Sequence, residues 1–533
     1  MKKVFFLSVV SLVLTMPANA QNVRGEQVRN NSVAYNVKDF GATGNGSTND
    51  YSSILSAINR SNAVVTFPSG TYLINSTLVL NSVSNLRITG NSGATIEGGG
   101  TPTNLHQLIL LTGTCTNVEI DGIDFTSLAT DSTSVDSYGL LTDTGSFTSL
   151  YIHNCSFSSP HCQTNGIKII CQNANTGSDI NIQNCSFTNV GRMGVEFQNQ
   201  TDTTARINNA QVSKNYFNNL GLQSQFGMAV SMSGAGYGAV IEGNIVVDPL
   251  DVGIESAGWR DVTISNNTIR SQRARDTSYT GISVSNSGVT PPATPLRTSI
   301  IGNTIDITGN TNFAIQVTNL SQGTIAGNVT RSGGTGIGLF ESYDCVITGN
   351  SIIGGASTTL GHGSGLLFTG SSNNTASGNL MDITQNPTYA ICVYYNANGS
   401  TLSTNNTVAP DNVIRLNSTG IAFQQAADGS NNNTLSLGDD PITVANNANY
   451  TITRSKVYII LPVISANYTV TVPNPASYPG QNIYVQDANT SGSNWAFTTT
   501  YPVVTAAGAT IGNLTNSTVY QLKSNGSSWV KMN

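Results

Sequence analysis

A short phrase that recurs along most of the chain limits the fold more than any other feature. It consists of an apolar residue, two variable residues, a small polar residue, another variable residue and an apolar residue, as in IEGNIV at Ile241 and ISNNTI at Ile264. Its copies lie 22 to 36 residues apart, the period of a solenoid with inserted loops of different lengths. The fourth position of the phrase is occupied in turn by Cys155, Cys185, Asn215, Asn244, Asn267, Asn303, Asn328, Asn350, Asn379 and Asn406.

Each copy is followed by a second phrase, Gly-aliphatic-x-aliphatic, as in MGVEFQ at Met193 and VGIESA at Val252. Two short strands of this kind cannot bury a face alone, but they can when coils stack about 4.8 Å apart. We therefore predict an all-β fold, a parallel β-helix with one long aliphatic core. The Asn column should be buried, with its side-chain amides bonded to one another, and Cys155 and Cys185 should be free, buried thiols.

The composition agrees with strands and turns and argues against several kinds of function. There are 53 glycines, and only 9% of the residues are charged. A net charge of -6 argues against nucleic acid as a partner. Seven cysteines in 533 residues are too sparse for a disulfide framework.

The first twenty residues have the features of a cleaved secretory signal: two lysines, a short apolar run and the ending Ala18-Asn19-Ala20. No later stretch approaches the roughly 20 apolar residues of a membrane-spanning helix. We expect a secreted or periplasmic protein without a membrane span. The predicted organisation is a signal peptide (1–20), an N-terminal lead (21–34), a β-helix with an N-terminal capping helix (35–440) and a small antiparallel β-domain (441–533).

Residues 35 to 80 contain NVKDFGA, a Gly-rich turn, a helix begun by Asn49-Asp50 and the sequence FPSGTY. This segment resembles the entry module of the pectate-lyase-like superfamily of right-handed parallel β-helix proteins, which includes polysaccharide lyases, glycoside hydrolases and phage tailspikes. The resemblance implies a right-handed β-helix that binds or cuts polysaccharide, but it carries no catalytic residue. It also suggests Ca2+ as a cofactor, although the sequence shows no convincing ligand cluster and no cofactor is assigned.

The variable residue between the two aliphatic residues of the second phrase must face outward if the aliphatic residues face the core. Glu196 and Glu255 would then lie two coils apart on one outer wall, with backbones about 9.6 Å apart and small Ala229 between them. The predicted outward column is Leu141, Lys168, Glu196, Ala229, Glu255, Ser283, Gln316, Gly338, Leu367, Cys392 and Ala422.

This arrangement suits two kinds of catalysis. Hydrolysis with inversion uses an acid for the leaving oxygen and a base for water, with carboxyl groups about 6.5 to 9.5 Å apart. Elimination by a lyase needs a base and a group that absorbs the charge developing on a uronate, for which Lys168 and Arg192 are candidates. The candidate catalytic residues are Glu196, Glu255, Lys168 and Asp251.

Charged and aromatic residues cluster around Glu255. Residues 259–276 contain four of the 22 basic residues, and Asp248 and Asp251 precede the glutamate. Guanidinium groups bind carboxylates with paired donors, so the expected partner is an acidic polysaccharide. The candidate substrate-binding residues are Arg192, Gln198, Asp248, Trp259, Arg260, Arg273 and Arg275.

Two functions stay open at this point. The first is an exported polysaccharide depolymerase, a lyase or a glycoside hydrolase. The second is a noncatalytic glycan-binding or adhesive β-helix, for which a homotrimer is considered; Lys168 and Glu196 would then form a surface ion pair worth about 0 to 1 kcal/mol. Phe340 is expected either to stack on sugar rings or to pack beneath a loop. The C-terminal domain is expected to bind glycan through Trp495 or Trp529, to cap the open end of the solenoid or to drive trimerisation.

Overall fold

The computed structural model describes most of the chain between residues 32 and 532. The predicted signal peptide lies outside the described residues. The described ranges are 32–131, 139–171, 175–199, 207–224, 226–271, 279–286, 296–308, 312–354, 364–383, 389–394, 402–409, 411–416, 421–425, 434–435, 442–443, 449–452, 458–461, 466–478, 482–487, 494–515 and 519–532.

The chain winds into a parallel β-helix with three faces, which we number in the order in which each coil meets them. Faces 1 and 2 belong to a 26-stranded sheet, because Val230–Glu242 and Val252–Ser265 bend from one face into the other. Face 1 also contains Leu78–Asn81, Ile109–Thr112, Gly139–Asp143, Asn165–Cys171, Val195–Asn199, Thr280–Ser285, Ile315–Thr318, Ile337–Phe340, Leu366–Thr369, Tyr389–Tyr394 and Ile421–Gln425. Face 2 also contains Val33–Asn36, Ala63–Phe67, Ser84–Gly90, Thr114–Asp121, Ser146–His153, Gly177–Gln183, Ile207–Ser213, Ser299–Ile301, Thr324–Ala326, Val346–Thr348, Thr375–Ser377, Thr407–Val408 and Thr434–Leu435.

Face 3 is a separate parallel sheet of 14 strands. Its inward phenylalanines stack coil on coil, with ring centroids 5.0, 4.9 and 4.7 Å apart from Phe125 through Phe157 and Phe187 to Phe217. Residues at alternate positions of all three faces fill one continuous core, as the period of two predicts. The strands of face 3 are Asn45–Asn49, Gly70–Ile74, Ala94–Gly98, Asp124–Ser127, Ser156–Ser159, Ser186–Val190, Tyr216–Leu220, Ile245–Val247, Thr268–Arg270, Thr304–Ile307, Val329–Ser332, Ser351–Gly354, Leu380–Ile383 and Val413–Leu416.

The predicted Asn column is a ladder at the corner between faces 2 and 3. Each Asn accepts, through Oδ1, the backbone N–H and the side-chain amide of the preceding coil; Asn244, for example, donates from both nitrogens to Asn267 Oδ1 at 2.9 Å. The prediction is wrong at one position, because the ladder continues from Asn379 to Asn412. Asn406 instead belongs to a second ladder, between faces 1 and 2, where it bonds to Asn374. Cys155 and Cys185 are buried and free, as predicted.

The N-terminal end is covered by the predicted helix, Tyr51–Ile58, which buries Ile54, Ala57 and Ile58 against the first coils. Asp50 precedes the helix, but its carboxylate bonds to the loop before it, accepting the N–H groups of Thr43 at 2.7 Å and Gly44 at 2.9 Å. Two 3-10 helices, Val37–Phe40 and Pro475–Ser477, are also present. Among the described residues no helix has the length and apolar character needed to cross a membrane.

The C-terminal segment contains the predicted small antiparallel sheet. Asn482–Asp487 pairs antiparallel with Val519–Ser524, which pairs antiparallel with Trp529–Lys531. Parallel pairings extend this sheet through Ile442–Thr443, Tyr458–Leu461 and Val503–Val504, and a second parallel sheet consists of Tyr450–Thr451, Tyr468–Thr471 and Trp495–Phe497. The segment has its own apolar core.

Candidate functional site

The strands of face 1 bring Glu196 and Glu255 onto one outer column, two coils apart, as predicted. Lys168 is in register with Glu196, Glu196 with Ser231, and Ser231 with Glu255. We call Lys168, Glu196, Ser231 and Glu255 the site column. At about 4.8 Å per coil the two glutamate backbones are about 9.6 Å apart.

The predicted outward column is wrong at three positions. Leu141 pairs with Ile167 and is buried in the core; the residue in register with Lys168 is Thr142. Ser231, rather than Ala229, lies between the two glutamates. At the other end Cys392 is in register with Gln424, not with Ala422.

Glu196 is the centre of a buried polar network. Its Oε2 atom accepts hydrogen bonds from Asn165 Nδ2 at 2.9 Å, Lys168 Nζ at 2.8 Å and Arg192 NH1 at 2.7 Å. Lys168 is 1% exposed and Glu196 is 5% exposed. Such an ion pair differs from the surface pair considered above, because burial leaves little solvent screening between the charges.

Glu255 has a different environment from Glu196. Its Oε2 accepts a hydrogen bond from Ser231 Oγ at 2.7 Å. Burial raises the pKa of the Glu255 carboxyl; the Ser231 hydrogen bond opposes this effect, and the charges of Asp251 and Glu196 add to it. The two carboxyl groups therefore differ: Glu196 is paired with two cations, and Glu255 has a pKa above the ordinary Glu value.

An apolar ledge borders the site column. It consists of Met193, Met228 and Val252, which pack together on the outer side of face 1. Beside it, the exposed ring of Phe226 lies 5.7 Å from the guanidinium carbon of Arg192. This apolar surface therefore lies next to Arg192, which pairs with Glu196.

The structure places three more predicted residues near the site column. Gln198 lies two residues beyond Glu196 on face 1, in register with Ser233, and is half-buried. Asp251 is close enough to raise the pKa of Glu255. Asp248 and Asp251 are near the buried Tyr279, whose pKa is raised first by burial and then by their charges. Arg273 and Arg275 lie outside the described residues.

Two predicted substrate-binding residues are not on the wall of the site column. Trp259 is 0% exposed and points into the solenoid, where its ring lies 5.8 Å from that of Phe197. Arg260 follows it onto face 2, in register with Tyr237. The prediction that Trp259 contacts substrate is therefore wrong, since its ring is part of the core.

Other aromatic candidates also turn out to be packing residues. Phe340 is half-buried and packs edge-on against Phe313, with 5.4 Å between ring centroids. Trp495 and Trp529 are fully buried in the C-terminal core, and Trp529 donates from its ring N–H to the Pro473 carbonyl at 2.7 Å. The prediction of glycan binding through either tryptophan is wrong.

One group in the described part of the chain has the side chains of a metal site. Glu119, Asp121 and His153 lie together on face 2, with one ligand atom from each within 4.8 Å of the others. Both carboxylates already pair with Arg87, and His153 contacts them at 3.0 and 3.2 Å. This group was not predicted, because only the stacking of coils brings His153 beside Glu119 and Asp121 of the preceding coil. It lies on a different face from the site column.

Asn165 and Ser231 are the polar residues of the site that the sequence did not reveal. Asn165 is 0% exposed and bonds to Glu196, and Ser231 bonds to Glu255. Neither has an unusual sequence context in a chain rich in Asn and Ser. The sequence alignment of the coils placed Met228 opposite Val195, whereas the structure pairs Val230 with Val195. The correct alignment would have placed Ser231 beside Glu196.

Two family models match this chain. Residues 34–244 match the family described as "Rhamnogalacturonase A/epimerase, pectate lyase-like", and residues 228–408 match "Right handed beta helix region". These matches confirm the pectate-lyase-like resemblance seen at residues 35 to 80, as well as the right-handed β-helix. The comparison with curated protein sequences gave no match.

Two solved structures illustrate the similarity in fold. PfbA, a surface adhesin of Streptococcus pneumoniae, is 18% identical; the alignment covers 69% of this chain and 93% of PfbA, with a TM-score of 0.50. The catalytic unit of a GH87 alpha-1,3-glucanase from Streptomyces thermodiastaticus is 17% identical, with 76% and 67% of the two chains covered and a TM-score of 0.50. At such identities the likeness establishes the fold alone.

Proposed function

Because this chain forms a right-handed, pectate-lyase-like β-helix, we propose that it is an exported glycoside hydrolase that cleaves a polysaccharide on face 1. One observation carries the proposal. Two carboxyl groups with different environments, Glu196 and Glu255, lie two coils apart in one column. Pairs of titratable groups whose surroundings favour opposite protonation states are typical of acid and base assignments.

Glu255 is the proposed general acid. Its raised pKa keeps a proton available, and the Ser231 hydroxyl bonds to Oε2. The acid proton is then best placed on Oε1, from which it can pass to the oxygen of the leaving sugar. General acid catalysis of this kind contributes typically about 100- to 10,000-fold to a rate.

Glu196 is the proposed general base. Asn165, Lys168 and Arg192 all donate hydrogen bonds to its Oε2 atom. The other oxygen, Oε1, is then available to take a proton from water. The backbone separation of about 9.6 Å allows side chains to place the carboxyl groups within the roughly 6.5 to 9.5 Å used by inverting glycosidases, so inversion at the anomeric carbon is expected.

The contacts of the two cations favour hydrolysis over elimination. A lyase would need Lys168 or Arg192 to touch the substrate carboxylate, but both bond to Glu196, and Lys168 is buried. In this proposal Lys168 and Arg192 hold the base rather than the substrate. Asp251 assists by raising the pKa of the acid.

The substrate is proposed to be a polysaccharide lying across the site column, with Gln198 beside it. We propose that this polysaccharide is acidic, as the arginines of residues 259–276 predict. We also propose that the protein is exported, acts outside the cell and forms a homotrimer, as considered from the sequence.

The test uses the full protein and a panel of uronate-containing and neutral polysaccharides. Chain length, reducing ends and the ultraviolet absorbance of a new C=C bond are followed together. We expect shorter chains and new reducing ends without absorbance. New absorbance would show a lyase instead, and binding without shortening would show a noncatalytic glycan-binding protein.

The acid and base are tested by Glu255→Gln and Glu196→Gln, each checked for folding by circular dichroism. We expect each to lower kcat by about 100-fold or more. Glu242→Gln is the matched control, because Glu242 lies on face 2, and its activity should equal that of the wild type. Full activity in both site variants would overturn the assignment even if the protein is a hydrolase.

A further inference from the structure

Asn165 is a fully buried amide that contacts both partners of an ion pair in the site. It begins the strand Asn165–Cys171, one coil before Glu196. We infer that Asn165 is a positioning residue for Glu196: it fixes which carboxylate oxygen is anchored and which one is left for catalysis. The inference rests on the function proposed above.

The orientation of the Asn165 amide is determined by donors on its oxygen side. Oδ1 accepts the backbone N–H of Met193 at 3.1 Å and Arg192 NH1 at 3.4 Å. A backbone N–H can only donate, so the amide oxygen must face it and the amide nitrogen must face the other way. Nδ2 then donates to Glu196 Oε2 at 2.9 Å.

The three donors on Oε2 differ in what they contribute. Lys168 and Arg192 bring charge on flexible side chains, whereas Asn165 brings a neutral donor whose direction is set by the backbone of Met193. A donor fixed in this way selects one rotation of the Glu196 carboxylate.

Asn165→Asp is the most informative change, because it preserves the shape of the side chain. The oxygen that accepts from Met193 is retained, but a carboxylate oxygen replaces the donor that faces Glu196. Two carboxylates so close cannot both ionise readily, so they share a proton and titrate as a pair. Arg192 faces both carboxylates and Lys168 faces that of Glu196, so the two cations partly offset the repulsion. The acid limb of the pH dependence of kcat should therefore move to higher pH by about one unit.

Asn165→Ala removes the donor without adding charge. Because Asn165 does not touch substrate, we expect kcat to fall by about 10- to 100-fold while KM stays within about twofold. Asn208→Asp is the matched control. It introduces the same carboxyl group at a half-buried outward position of face 2, and it should leave the acid limb and kcat unchanged.

A second measurement tests the inference without turnover. The chain has seven Glu residues, so labelling the Glu side-chain carboxyl carbon with 13C gives seven NMR signals, and Glu196→Gln identifies the signal of Glu196. In Asn165→Asp that signal should titrate at higher pH than in the wild type. An unchanged titration and an unchanged acid limb would overturn the inference, whereas absent wild-type cleavage with a shifted titration would overturn only the proposed function.

Discussion

The Asn ladder connects the coils that carry the two proposed catalytic residues, and its removal at one position has a calculable cost. Asn215, Asn244 and Asn267 follow Glu196, Ser231 and Glu255 in successive coils. We consider Asn267→Ala. The side chain of Asn267 donates to Ile241 O at 2.9 Å and Asn303 Oδ1 at 3.0 Å, and its oxygen accepts both nitrogens of Asn244.

The substitution therefore removes four hydrogen bonds from a site that water does not reach, because Asn267 is 1% exposed. At about 0.5 to 1.5 kcal/mol for each bond, the loss in the free energy of unfolding is about 2 to 6 kcal/mol. The buried N–H of Asn244 is left without the acceptor that it has in the wild type, which favours the upper half of this range.

The measurement is equilibrium unfolding in guanidinium chloride, followed by circular dichroism and tested for reversibility. Asn75→Ala is the matched control, since Asn75 is exposed, and it should change stability by no more than about 0.5 kcal/mol. A loss below about 1 kcal/mol in Asn267→Ala, or one no larger than the control, would refute the reasoning that the ladder stabilises these coils.

Glu255→Gln should remove a pH dependence of the free energy of unfolding. The folded-state pKa of Glu255 is raised, so this carboxyl group stabilises the folded protein fully below the ordinary Glu pKa. That stabilisation is lost as the pH rises through the raised pKa. Unfolding free energies of wild type and variant across this range should diverge, and parallel curves would contradict the assignment. Ser231→Ala removes the bond that lowers the pKa of Glu255, so the alkaline limb of the pH–rate profile should move to higher pH; movement to lower pH would argue against Glu255 as the acid. Glu196→Gln removes the carboxylate that pairs with Lys168 and Arg192 and should lower the free energy of unfolding by about 3 to 5 kcal/mol in chemical denaturation; a cost near zero would contradict a stabilising role for this buried ion pair.

The sequence predicted the solenoid because its signal is repeated many times. Each coil carries the same alternation, so errors in single coils do not change the fold that the repeat predicts. The same repeat predicted the Asn column correctly at every position except the last, where it named Asn406 instead of Asn412. Asn406 and Asn412 both follow small polar residues, and only the stacking of coils shows which corner each one occupies.

The errors in the site come from local changes of register. Leu140 and Leu141 are adjacent, and only pairing with Ile167 shows that Leu141 faces inward; a shift of one residue reverses the face. Trp259 should point outward by strict alternation from Glu255. Gly258, with φ of 89°, breaks the alternation at the bend and turns the indole into the core.

The burial around Glu196 could not be read from the sequence at all. An outward position on a sheet is ordinarily solvated, and the alternation correctly placed Glu196 on the outer wall. Two of the three side chains that bond to it, Asn165 and Lys168, come from the preceding coil. Such contacts depend on loop lengths between strands, which the repeat leaves variable.

The two long strands that carry Ser231 and Glu255 have a further consequence for how a polymer could be held. Val230–Glu242 and Val252–Ser265 pass from face 1 to face 2 without an intervening loop, and Trp259 fills the interior beneath the bend, so close to Gly236 that a methyl group there would collide with its ring. At this corner the backbone is therefore continuous and the interior beneath it is filled. Under the proposed function, a polysaccharide that crosses the site column would meet no loop between face 1 and face 2 at these two coils, so cleavage within the chain is the expected outcome.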